Sequence, residues 1–573
     1  MTTATLTTST LDGKPYAGNP HVRFDEGEVA SAKPRRGSLL YNIKSIATVT
    51  AKLAVGAVLA SGFAARAEEE TPPPQTEWTY TGGVLTSSDG WKFTITDAGD
   101  GGVALASRSA IGTDMCLNLR TAETVIGKPI TVFGKYVFSN GTGGGTAIQK
   151  VWLPLGLKRL NEGAFWSCRQ LTNVYPLLPE TVEFIDQWAF KSDGVLEGDL
   201  VLSNPNLNMG THNAADGGAF SECNKITSVD LSQTRLKHTG DFYWCVGLKS
   251  VKLPETLETI SYRAFGWCTA LTNVVPFLPA SVRSIGADAF AACGNLKRDL
   301  VLSNPALNLG GIAVFYESGI TSADLSATAT ESLCGFNACK SLGSVKLPHG
   351  LKTIANEALR DCSSLTNVTP LLPKTLTYLG SKAFAYSPIQ GDLVLPKGAT
   401  MSVGGDYHNP EMPGVRLTSA DFSQSALTEI PMAFYNNYTL QRVIYPPTAT
   451  KFHADYTHYS DNANQLRDIR FMSWPSNFKT MTGTFGHTPG DGRIVYPKGN
   501  ADWEAYVKEL KDANNFTPWD PESDAAKAYL TRFADTPWKP IGSAVIHKGA
   551  TYGNTRKWLV PHTYESGMKV LVM

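Results

Sequence analysis

The chain repeats itself in phase, and that property excludes most globular architectures. VWLPLGLKRLNEGAFWSCRQLTN begins at Val151, VKLPETLETISYRAFGWCTALTN at Val251 and VKLPHGLKTIANEALRDCSSLTN at Val345, offsets of 100 and 94 residues. GDLVLSNPNLN from Gly198, RDLVLSNPALN from Arg298 and GDLVLPKGA from Gly391 recur in step. So do ITSVDLS from Ile226, ITSADLS from Ile320 and LTSADFS from Leu417. A smaller unit lies inside the large one. Cys223, Cys245, Cys268 and Cys293 follow one another at spacings of 22, 23 and 25, and Cys339 and Cys362 are 23 apart. Asp193, Ser318, Ser387 and Asn437 hold the same place in other turns. One turn reads L-x-x-I-x-x-x-A-F-x-x-C-x-x-L-x-x-V-x-L-P, and four turns make one large unit.

A turn of about 23 residues is too small to bury its own apolar face. Leu271, Val274 and Pro276 form a short period-2 segment closed by proline, which predicts a strand of a few residues. Turns stacked at the ~4.8 Å strand spacing bury a continuous core. The expected fold is therefore a repeat solenoid of about a dozen or more turns, with a parallel β-sheet along one face. Phe165, Phe265 and Phe290 share one position and should form an aromatic row inside the stack. At the Cys position the chain leaves the strand, and backbone amides there need a small partner, which Asn supplies by hydrogen bonding and Cys as a compact, weakly polar residue.

The signature A-F-x-x-C-x-x-L-T-x-V-x-L-P, recurring from Ile148 to about Pro497, resembles the BspA-like class of leucine-rich repeats. The resemblance implies a leucine-rich-repeat solenoid and a bacterial surface or secreted protein that binds host proteins, other cells or glycans. The chain departs from a regular array at the 30-residue step from Asp193 to Cys223, and no cell-wall sorting motif ends it.

Outside the array, residues 1–67 read as an export leader. Arg35, Arg36 and Lys44 precede the apolar run Leu53–Ala64, and Ala65-Arg66-Ala67 offers small residues for cleavage after Ala67. The alternative is an uncleaved anchor over Ser45–Ala65, whose only charge is Lys52. Either way the bulk of the chain is expected outside the cell. Residues 68–147, rich in Gly, Thr and Ser, predict a β-rich N-terminal cap, and the solenoid is expected over 148–498. Residues 499–573 predict a small α+β C-terminal cap that opens on a helix. Asn500 or Asp502 would cap that helix, and Trp503, Tyr506, Val507 and Leu510 would share one face.

Little in the chain suggests catalysis. Lys plus Arg and Asp plus Glu both number 51, so no net field recruits nucleic acid or an anionic membrane. There is no G-x-S-x-G, P-loop, H-E-x-x-H or CxxC pair. His453 and His458 flank Asp455 at a spacing unlike that of metal ligands, and Asp97–Gly102 reads as a hairpin turn before a calcium loop. No cofactor is expected. Seven of the nine cysteines (Cys168, Cys223, Cys245, Cys268, Cys293, Cys339 and Cys362) occupy the repeat position and are expected buried and reduced. Cys116 and Cys334 lie off it, their state open.

One column emerges from the repeat. In V-x-L the middle residue points away from the core, giving Trp152, Tyr175, Asp230, Lys252, Val275, Asp324, Lys346, Thr369, Asp421 and Ile444. These should lie outward on one continuous sheet, with Asp230–Lys252 and Asp324–Lys346 as charge rungs. The candidate ligand-binding residues are Trp152, Tyr175, Asp230, Lys252, Asp324, Lys346, Thr369 and Asp421. The expected function is non-enzymatic binding or adhesion toward a protein or glycan. The alternative is an envelope scaffold that binds copies of itself.

Overall fold

The computed structural model describes residues 77–564, apart from 140–144, 176–177, 193–195, 211–217, 303, 308, 310, 404–410, 432, 435–436, 454–464, 481–484, 486–487, 537 and 550–552. The leader, with its cleavage site and its alternative as an anchor, lies outside the described residues. The expected solenoid is present, and each turn contributes to three sides. The V-x-L segment forms a strand of a few residues, as in Ser250–Lys252, Asn273–Val275 and Ser344–Lys346, and successive strands pair in parallel. The L-x-x-I segment forms a two-residue strand on a second side, as in Thr259–Ile260 and Ser284–Ile285. The A-F-x-x-C element forms a ridge on the third.

The ridge backbone alternates between two hydrogen-bond patterns. Amides of Ala264, Gly266 and Cys268 close tight turns within their own repeat on Ser261, Arg263 and Phe265. Amides of Arg263, Phe265 and Trp267 instead donate to Ala287, Ala289 and Ala291 of the next turn, at 3.0, 2.9 and 2.7 Å. The alternation puts Arg263 and Trp267 in the left-handed region, at φ 57 and 60, which costs an ordinary residue about 1–2 kcal/mol. Bonds to the neighbouring turn offset that cost, so an isolated repeat would not hold this shape.

Inside the ridge the predicted aromatic row is complete from Phe138 to Phe336. Phe138, Phe165, Phe190, Phe220, Phe242, Phe265, Phe290, Phe315 and Phe336 stack in order, with centroids 4.7–6.0 Å apart. Beside the row runs a ladder of thiols. Each repeat cysteine donates to the carbonyl of the phenylalanine one turn back: Cys223 to Phe190, Cys245 to Phe220, Cys268 to Phe242 and Cys293 to Phe265, all at 3.1 Å. Ser387 does the same toward Leu359 at 2.6 Å. The position is also the small partner for amides that the sequence predicts: Cys245, Cys268 and Cys293 accept from the amides of Cys223, Cys245 and Cys268 one turn back, and the Ser387 hydroxyl accepts from the Cys362 amide at 3.0 Å. All nine cysteines are thiols, and the seven repeat cysteines are buried. Burial raises the thiol pKa of Cys245 and Cys293 to about 12 and of Cys339 to about 11, which keeps the donor protonated.

The first side is not one continuous sheet. It runs as Cys116–Asn118, Lys150–Trp152, Asn173–Tyr175; then Glu197–Val201 to Asn273–Val275; then Asp299–Val301 to Asn367–Thr369; and then from Gln390–Val394 onward. The reason is proline. Within a block, the residue after the outward position donates to the next turn: Leu231 to Lys252, Leu253 to Val275 and Leu347 to Thr369, at 2.8–2.9 Å. At the three breaks that residue is Pro176, Pro276 or Pro370, which has no N–H to give. At the middle break the Arg298 guanidinium donates to the Val274 carbonyl instead, at 3.0 Å. At the Pro370 level the second side breaks elsewhere. Tyr378–Leu379 pairs with Thr400–Met401 across the level of the Pro370 break, whereas Glu429–Ile430 begins a new ladder one turn later.

At the N-terminal end, Trp78–Thr81, Val84–Ser87, Lys92–Asp97 and Val103–Ala110 form antiparallel hairpins that extend the second side through Ile130–Phe133. The parallel ladder of the first side already starts at Cys116–Asn118, within the stretch read as the cap. A short helix, α1 (Ala122–Ile126), follows. At the other end α2 (Ala501–Asp512) is capped by Asn500, whose side chain accepts from the Trp503 amide at 3.1 Å, and it buries Trp503, Tyr506, Val507 and Leu510 as its spacing predicts. Helix α3 (Asp524–Arg532) follows, and Gly553–His562 joins the first side in parallel with Arg493–Pro497.

Two measurements check this architecture. Phe265→Ala removes stacking toward Phe242 and Phe290 and should cost about 3–5 kcal/mol. Coupling is chiefly nearest-neighbour, so amide exchange should quicken over residues 240–300 and leave the turns near Asn437 protected; uniform loss would refute a quasi-one-dimensional core. Thiol titration in denaturant without reductant should recover at least the seven repeat cysteines, and recovery of one or two would mean a disulfide framework.

Candidate functional site

The outward column has the predicted register. Asp230 pairs with Lys252 and Asp324 with Lys346 on adjacent strands, and both ammonium groups sit 2.9 Å from their carboxylates. Partial burial pushes the Asp230 carboxyl up, but hydrogen bonds from Ser232 and Lys252 outweigh it and hold the group below its ordinary value. Hydrogen bonds from Lys346 and Ser326 bring Asp324 down to about 2. Such exposed rungs contribute at most about 1 kcal/mol each. Their charges are satisfied by one another, which leaves little unpaired field for a ligand.

The column's ends depart from the expectation. Trp152 is 2% exposed, flanked on the adjacent strands by buried Asn118 and by Tyr175, while Arg120 donates to the Leu153 carbonyl beside it. The Tyr175 side chain lies outside the described set. Asp421 is buried with the Ser423 amide on its carboxylate, and Ile444 beside it is buried too. The C-terminal module covers the outer face there. The column continues through Arg470 and Val495, and Val495 packs with Tyr529, Phe533 and Val560. Thr369 is exposed as expected.

Three outward residues escaped the sequence reading because their turns spell D-L-V-L in place of V-x-L. Val201, Val301 and Val394 open the three later blocks, and Val275 closes one. All four are exposed, Val301 to 67%. Val275 and Val301 are the last and first outward residues across the Pro276 break. The blocks thus read Val–Asp–Lys–Val and Val–Asp–Lys–Thr, each opening on a valine.

A second missed feature lies on the ridge. Trp244 and Trp267 occupy one position in successive turns, with rings within 4° of parallel and centroids 6.1 Å apart. Tyr243 meets both edge-on, and the Arg263 guanidinium lies 4.8 Å over Tyr262 and 5.2 Å over Tyr243 while pairing with Asp288 at 3.3 Å. Trp244 is 44% exposed. A smaller group forms earlier, where Trp166 contacts Tyr136 and Trp188. Gly163 is required there, since it sits at φ 59 and a Cβ would lie 2.4 Å from the Tyr136 ring.

The most perturbed charges are internal. Asp468 is buried with Arg470 at 2.6 Å, Arg442 at 2.8 Å and Arg493 at 3.0 Å, and Arg493 lies over Phe533. Burial pushes this carboxyl up, but Arg470 and Arg493 outweigh it and hold it well below the carboxylate range. Lys557, wholly buried, donates to the Pro489 carbonyl, and burial brings it down to about 7. At the proposed hairpin turn, Asp97 and Asp100 accept from the Gly99 and Gly102 amides, and Asp100 also pairs with Lys158. His453 contacts Glu429 at 2.9 Å; Asp455 and His458 lie outside the described residues. Among the described residues no cluster of three potential metal ligands occurs, and no helix is long and apolar enough to cross a membrane.

The sequence profile of the BspA type leucine rich repeat region matches residues 107–197, 213–335 and 332–464, in six copies. No curated protein matches the chain. Among solved structures, a leucine rich cell surface protein from Faecalibacterium prausnitzii A2-165 is similar at 16% identity, over 72% of this chain and 98% of that one, with a TM-score of 0.36. A leucine-rich repeat protein from Bacteroides ovatus ATCC 8483 is similar at 21% identity, over 48% and 73%, with a TM-score of 0.30. The leucine rich repeat protein of T. pallidum shares 25% identity over 33% and 76%, with a TM-score of 0.23.

Asp468→Asn should destabilise the C-terminal module by about 3–5 kcal/mol, because it leaves buried guanidinium groups uncompensated. A carboxyl held low contributes its stability above its unfolded value and loses it as pH falls through the folded one. Acid should therefore loosen the wild-type module only below pH about 4, while the variant is loosened already at neutral pH. Proteolysis after Pro497 followed against pH reads the difference, and equal resistance at pH 7 would refute the role of the pair.

Proposed function

The chain belongs to the BspA-type leucine-rich-repeat family, and from that premise we propose that it is an exported, non-enzymatic binding protein that holds a protein or glycan ligand on its solenoid surface. The observation that carries this reading is the set of exposed valines, Val201, Val275, Val301 and Val394, recurring at the block ends between self-neutralised Asp–Lys rungs. Exposed β-branched residues at fixed places on a rigid sheet offer contacts whose ordering entropy is already spent by folding. Paired rungs beside them disfavour highly charged partners. Export is supported by the leader-like residues 1–67 and a catalytic role by nothing in the perturbed groups, which serve packing. The self-associating scaffold remains the second reading, since the same valines recur at matching places on every copy of the chain.

The purified chain, screened against extracellular-matrix proteins and cell-surface glycans, should retain at least one ligand, and Val275→Asp/Val301→Asp should weaken it about tenfold or more. Sedimentation separates the alternatives. Concentration-dependent assembly abolished by the same double variant favours the scaffold, and neither ligand nor assembly overturns both.

A further inference from the structure

We propose that the ridge around Trp244 and Trp267 is a glycan-binding platform that stacks uncharged sugar rings. This rests on the ligand-binding reading above and places a second contact on a different side of the solenoid. Four aromatic rings, Tyr243, Trp244, Tyr262 and Trp267, gather within two turns of the ridge, and the parallel indoles repeat along the axis. Ring faces and edges of this kind receive the C–H-bearing faces of pyranoses, while hydroxyls need planar donors and acceptors at the margin. One turn before Trp244 in the same column, Glu222 adds a carboxylate that accepts from the Ser192 hydroxyl at 2.6 Å and lies 3.9 Å from Lys191, and the Arg263–Asp288 pair lies beside Trp267. Because Arg263 is matched by Asp288, the platform has no excess charge to favour a phosphate or a nucleic acid.

Size decides between a sugar and a protein. Along the ridge the patch is bounded by Ser221 and Glu222 on one side and by Ala291 and Ala292 on the other. Two turns span about 10 Å, whereas a square patch of the roughly 800 Å² per partner that a stable protein interface buries measures about 28 Å on an edge. The two-turn length suits a short run of linked sugars. The platform is also pre-organised, since the tryptophans stack on one another and the backbone beneath is fixed by bonds to the next turn.

The ridge allows a clean test. Ala292 and Ala338 occupy the Trp244 and Trp267 column at φ 56 and 58, so Trp244→Ala/Trp267→Ala should fold as the parent does. Calorimetric titration of the full chain with cellohexaose, laminarihexaose, xylohexaose and mannohexaose should show binding of at least one, weakened about tenfold or more in the double variant. If circular dichroism shows that variant unfolded, Trp244→Glu, which copies Glu222 and Glu317 at the same position, replaces it. No binding of any of the four at millimolar concentration overturns the proposal. So does affinity that survives the tryptophan changes, or that falls instead with Val275→Asp/Val301→Asp. Capture of a protein ligand through the sheet valines, with no oligosaccharide bound, would remove this platform and leave the ligand-binding reading intact. A protein ligand whose capture needs Trp244 and Trp267 would overturn the assignment to a glycan.

Discussion

A thiol that donates a hydrogen bond to the carbonyl of the previous turn's phenylalanine is a small interaction, yet the stack depends on its repetition. The Phe220, Phe242 and Phe265 carbonyls each accept from the cysteine amide of their own turn, and the thiol of the next turn is a second donor, a hydrogen bond worth about 0.5–1.5 kcal/mol. Cysteine supplies that donor in little volume and leaves room for the aromatic row next to it. The Ser387 hydroxyl makes the corresponding bond, so the position calls for a small hydrogen-bond donor and not for sulfur chemistry. The row and the thiol ladder follow the pitch that backbone pairing sets between turns, and the surface features share that spacing.

Much of this was legible in the residues because burial is periodic. Phe165, Phe265 and Phe290 announced the row, and Asp230 with Lys252 announced a rung, since both follow from counting positions within the repeat. What escaped the reading depends on context outside a single turn. Trp152 and Asp421 have the right register, but segments at the two ends of the array bury them. The ridge aromatics were hidden for another reason. Trp244 and Trp267 stand at left-handed positions that no glycine marks, so nothing in the pattern suggested that their side chains would meet on the surface.

The C-terminal module shows what closing an open stack demands. The last strands would otherwise present unpaired backbone and a bare core. Gly553–His562 returns to pair with Arg493–Pro497, and α2 lays Trp503 and Tyr506 against the aromatic end of the core. Asp468 and its arginines do the corresponding work on the outer face. A buried charge set of this kind adds little net stability over an apolar equivalent, but it penalises any other seating of the module.

The proline breaks have a mechanical meaning. A wall whose joints line up splits along them, and masons stagger the courses for that reason. Here the first side is interrupted at Pro370, where the second side runs unbroken from Tyr378–Leu379 to Thr400–Met401; one course later the second side is interrupted while Gln390–Val394 and Arg416–Asp421 remain paired. The joint before Glu197–Val201 is bridged in the same way, by the Ile185 amide on the Asn208 carbonyl and by the Phe190 amide on Ala219. At these two joints a crack opened on one side meets intact masonry on the next.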